Sequence, residues 1–182
     1  FMVSTVRNPA DVERKPVATE FVTGSITSRG PSQARMDAAS DLSLAGLAQT
    51  NADLTSSSGR DLRVDGVAFA YGGAVSMTAG QTLTQGAASR VQGGDIIARA
   101  GSDVDARGEM VARGDIALLS ARDLRLYGGA AASGNLDLRA KRSLLADASG
   151  TWEANGGATI TAGQDAAWAG ALRTNRGIAL DA

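Results

Sequence analysis

Arg113, Gly114 and Asp115, within ARGDIAL at 112–118, form the tripeptide that integrins read. That chemistry needs Arg and Asp splayed from a turn, so that Asp completes a metal site and Arg meets a carboxylate. A plain corner of a repeat predicts the same letters, because Gly-Asp recurs at 94–95 in GGDII. Other chemistry is narrower. The chain has no His and no Cys, so the common nucleophile–base pairs are missing and we expect no catalysis and no cofactor.

Carboxylates remain, and paired ones could cut polysaccharide. Asp41, Asp61, Asp103, Asp123 and Asp165 fall at one repeat slot, which predicts turns whose side chains accept local backbone N–H groups. A calcium ladder would need the Gly-Gly-x-Gly-x-Asp nonapeptide, which is absent, so no metal site is expected. Arg122 and Arg142 share another slot and should stack on successive rungs, with Arg125, Arg139 and Lys141 on the same two rungs. Such a strip could hold sulfated glycan through salt-sensitive ion pairs, or simply offset the nearby aspartates. Trp152 lies in the longest unit, 134–155, whose two extra residues should bulge as a loop. It is either an exposed sugar-stacking platform or a lid folded over its rung. Trp168 occupies an inward slot and must overfill the core or flip outward.

What positions these residues is a repeat. ARDLRLYG at 121–128 echoes GRDLRVDG at 59–66, with GSDVDARG at 101–108 between them. The anchors Asp41-Leu42, Asp61-Leu62, Thr82-Leu83, Asp103-Val104, Asp123-Leu124, Ser143-Leu144 and Asp165-Ala166 are spaced by 20 to 22 residues. Ahead of them run aliphatic or small columns such as Leu54, Val75, Ile96, Ile116 and Leu136. An Ala/Ser column follows at Ala38, Ser58, Ala79, Ala100, Ser120, Ala140 and Ala162. Apolar and polar residues alternate within each unit, which is strand periodicity. Each unit reads as two short strands and a third corner, where Gly46, Gly66, Gly108, Gly128 and Gly170 would supply positive φ.

A constant unit length with one residue class per inward slot predicts an all-β, right-handed parallel β-helix with 20–22-residue rungs about 4.8 Å apart. Seven full rungs and a partial eighth should occupy 32–182, a rod on the order of 35 Å long. Residues 1–31 hold all three prolines and fit the repeat poorly; we expect an irregular segment with half a rung at 21–30, Val22 taking the anchor-aliphatic slot. With 23 Gly and 4 % aromatic residues, the core should be thin and built of Ala, Leu, Val and Ile. The formal net charge of −1 with interspersed signs suggests neither nucleic acid nor an anionic membrane as partner, and no apolar run predicts membrane insertion. The first residues carry charges where a signal peptide needs an apolar core. The chain stops in mid-rung, as a piece of a longer rod would.

Units such as GNLDLRAKRSLLADASG, GDIALLSARDLRLYGGA and GGAVSMTAGQTLTQGA resemble the haemagglutinin repeats of the filamentous haemagglutinin and two-partner secretion exoprotein family. The resemblance covers 32–182. It implies a secreted, surface-displayed bacterial fibre, exported by a dedicated outer-membrane transporter, with this chain as internal shaft. It also implies cell adhesion and an integrin as partner at Arg113, Gly114 and Asp115, beside the host-cell glycans that the arginine strip and Trp152 suggest. The alternatives are the inert stalk of a contact-dependent inhibition toxin and a polysaccharide-degrading β-helix enzyme, for which units of 20 to 22 residues leave no cleft-forming loops.

Overall fold

The computed structural model describes residues 12–13, 17–31 and 33–182 and is a parallel β-helix of about eight turns, without helices. Each turn pairs in parallel with the next, offset by one repeat. Ile96, Ile116 and Leu136 thus stand in one column, and Leu62, Leu83, Val104, Leu124 and Leu144 in another. Every member of the second column is at most 2 % exposed. Alternation is the cause: side chains on a strand point to opposite faces, so every second residue faces the axis and stacks on its equivalent one rung away. The Ala/Ser column also lies inside, paired from Ala38 through Ser58, Ala79, Ala100, Ser120 and Ala140 to Ala162. Gln85 sits in an inward slot too; its amide donates to the Glu109 carbonyl at 3.1 Å.

From Leu54 to Thr174 each rung has three strands where the sequence suggested two; in the rung before, the first two are one continuous strand, Ala34–Leu44. The third follows the glycine corner, as in Leu47–Thr50, Val67–Ala70, Glu109–Ala112 and Gly129–Ala132, and these strands build their own 8-stranded sheet. Stretches such as Gly129–Ala132 have little β propensity of their own. They are strands because a rung on either side offers its backbone as a template.

The glycine corner also needs a different explanation. Among the described residues only Gly177 has positive φ, at 120°. Gly128 is required for close approach: a Cβ there would lie 2.1 Å from the Gly108 carbonyl oxygen directly below. The corner stacks backbone on backbone, and any side chain would wedge the rungs apart.

Strands continue below residue 32. Val17–Val22 pairs with Ala34–Leu44, and Ser25–Ser28 with Leu47–Thr50. Val22 stands opposite Leu44 and Glu20 opposite Leu42, so Val22 takes the slot two residues beyond the one expected. Ile26 is buried against Ala48. Residues 1–11, within the segment expected to be irregular, lie outside the described residues.

Candidate functional site

Three corners per rung carry the candidate residues. At the corner before the first strand, glycines stack in an unbroken chain: Gly94 donates to the Gly73 carbonyl, Gly114 to Gly94, Gly134 to Gly114 and Gly156 to Gly134, at 2.7–2.8 Å. Beside them runs a ladder of side-chain acceptors. The Asp115 N–H donates to Asp95 Oδ1 at 2.9 Å, the Asn135 N–H to Asp115 Oδ1 at 2.6 Å, and the Gly157 N–H to Asn135 Oδ1 at 3.1 Å.

Arg113 and Asp115 are both exposed, flanking a half-buried Gly114, while Ile116 and Leu118 point to the core. Both charges are engaged, however. Asp115 closes the ladder through Oδ1, and the Arg113 guanidinium donates to the Tyr71 carbonyl two rungs below. The tripeptide is outward but pinned.

The anchor aspartates build a second ladder. The N–H groups of Asp61, Thr82 and Asp123 donate to Asp41, Asp61 and Asp103 at 3.1–3.3 Å. The carboxylates do bond backbone N–H groups, but those of the next rung. The second carboxylate oxygen is left for cations. Arg142 grips Asp123 with two nitrogens, Nε on Oδ1 at 2.7 Å and Nη2 on Oδ2; Arg125 adds a third bond at 3.1 Å. Asp123 is only 4 % exposed, and the Arg142 hydrogen bonds, outweighing desolvation, hold its carboxyl below the usual carboxylate range. Arg122 lies 3.6 Å from Asp103 and Arg139 bonds Asp137 at 2.7 Å.

The strip expected to meet sulfated glycan is therefore largely neutralised within the rod. Arg122 and Arg142 do stack, Arg142 N–H on the Arg122 carbonyl at 2.9 Å, but each faces an aspartate. Lys141 is the exception, with no ion pair among the described residues.

Trp152 is not a surface platform. It is the second residue of the third strand, Thr151–Ala154, and faces inward, 1 % exposed, between Ala130 and Leu172. The two extra residues of its rung form a tight turn at Asp147–Gly150, where the Asp147 carboxylate accepts the Ser149 N–H at 2.8 Å. That turn absorbs the insertion and leaves the strand in register, and Ala130 below leaves room for the indole. Trp168, half-buried, packs edge-on against it with ring centroids 6.4 Å apart and donates its indole N–H to the Gly170 carbonyl at 2.9 Å, so it neither overfills the core nor flips into solvent.

Sequence reasoning missed a groove of about 650 Å³ along the bend between the first and second strands, lined by Arg99, Leu119, Ala121, Arg139 and Lys141 over Ala100 and Ala140. A signal for it was present. Asp37, Ser57, Thr78, Arg99, Leu119, Arg139 and Thr161 form one outward column, and Leu119 is its single apolar member. No protein-family model, curated protein or solved structure matches the chain.

Proposed function

We propose that this chain is internal shaft of a secreted filamentous adhesin of the haemagglutinin-repeat kind, exported by an outer-membrane transporter and attaching to host cells through its surface, and that it is not a catalyst. The observation that carries the reading is the uninterrupted stack. About eight turns repeat one strand plan, with three separate strands in each of the six rungs from Leu54 to Thr174, and the insertions at 86–89 and 147–150 are tight turns, not cleft-forming loops. A rod of this kind extends by adding rungs, each needing only its neighbours. Its one recognisable cell-contact motif is the outward corner Arg113-Gly114-Asp115.

The ladder dictates how to test that corner. Lengthening Asp115 to Glu would displace the acceptor of the Asn135 N–H and confuse adhesion with folding. Asn serves the same post one rung on, at Asn135, so Asp115→Asn keeps the acceptor and removes only the charge. We predict that Asp115→Asn melts within about 0.5 kcal/mol of the parent, as surface substitutions that preserve contacts do. It should also abolish divalent-cation-dependent adhesion of integrin-bearing leukocytes to the immobilised protein. Equal adhesion by both proteins would remove the tripeptide and favour the second reading, an inert stalk. That reading draws support from the internal engagement of Arg113, Arg122, Arg125 and Arg142.

A further inference from the structure

The groove at the first bend breaks two column patterns at once. In the outward column before the bend, Leu119 stands between Arg99 and Arg139, one rung on either side, where neighbouring rungs carry Ser57, Thr78 and Thr161. In the column after it, Lys141 stands among Gly59, Gly80, Gly101, Ala121 and Gly163, whose N–H groups all donate to the rung below in the same way. Both departures fall on the same three rungs and line one concavity.

Most arginines of the rod are paired with a carboxylate. Arg35, Arg60, Arg63, Arg107, Arg125 and Arg142 each sit against an aspartate within 3.1 Å. Arg99 and Lys141 have no acidic partner among the described residues, and Arg139 has one. A half-buried leucine on the outer face with alanines beneath it, rimmed by two cations without acidic partners, complements a molecule with an apolar body and an anionic head. Burying the body recovers roughly 25 cal/mol per Å² of apolar surface, and the head meets the cations at the groove's edge.

We propose that this groove binds a single-chain amphiphilic anion, a long-chain carboxylate lying along Leu119 with its head between Arg99 and Lys141. A polyanionic glycan fits less well, because it would leave Leu119 and the alanine floor without a partner. The groove lies at a different corner from residues 113–115, so the site neither depends on the adhesive reading nor fails with it.

The test is calorimetric titration of the whole chain with laurate below its micellar concentration, at low salt. Leu119→Thr and Lys141→Gly restore residues that neighbouring rungs carry in those columns, so both should fold; Arg99→Thr, matching Thr78, is a third variant of the same kind. Saturable 1:1 binding is expected, weakened at least tenfold by each substitution. Dodecyl maltoside, with the same chain length and no charge, should bind at least tenfold more weakly than laurate. The proposal is overturned by no saturable laurate binding, by variants that bind like the parent, or by maltoside matching laurate. A heparin tetrasaccharide that binds more tightly than laurate, with Leu119→Thr indifferent, would assign the groove to polyanions instead.

Discussion

Asp123 shows how one residue serves both the corner and the charge balance. Its rung neighbours make it a buried carboxylate with three guanidinium hydrogen bonds, and Arg142 holds its pKa down. A carboxyl whose folded pKa is depressed contributes stability that is complete above its unfolded value of about 3.9 and is lost as pH falls through the folded one. Acidification from about pH 5 downward should therefore loosen the rungs around 103–142, and Asp123→Asn should flatten that dependence while lowering stability at pH 7 by on the order of 2 kcal/mol. Denaturant melts at pH 7, 5 and 3.5 check it; parallel pH profiles for both proteins would dismiss the role. The anchor aspartates were legible as a column, because their spacing is the repeat itself. Their partners were not: Arg142 reaches Asp123 across nineteen residues, a contact that exists only once the rungs are stacked.

At the scale of the element, the inward columns were readable because burial imposes a period of two on Leu124 and Leu126, or Ile116 and Leu118. The third strand was not, since Gly129–Ala132 carries no such signal and is strand only through its neighbours. Trp152 divided for the same reason: its unit is two residues too long, and only the compact turn at Asp147–Gly150 decides that the indole enters the core. The glycine corner makes a sharp prediction. Gly128→Ala must push its Cβ out of a position 2.1 Å from the Gly108 carbonyl, shifting backbone on two rungs. We expect a loss of about 1–3 kcal/mol, the range for overpacked sites, with amide exchange accelerated on the rungs of Gly108 and Gly150 and not at residue 54. A variant as stable as the parent would mean the corner tolerates a side chain and that glycine is there for another reason.

For the molecule as a whole, the glycine chain from Gly73 to Gly156 has a mechanical meaning. Its hydrogen bonds lie between rungs, so a load along the axis falls on the junctions between turns, and each turn is held chiefly by its neighbours. Stretched from its two ends, the chain should not yield in one event. Turns should peel singly, each releasing 20 to 22 residues of chain, or roughly 70 Å of extended length. A single-molecule pulling trace should show a saw-tooth of that spacing; one long rip would instead mean that the stack fails as a unit. A tether that gives way turn by turn dissipates a sudden tug while its remaining turns stay folded, and the released turns can rewind on the intact rung once the load is gone.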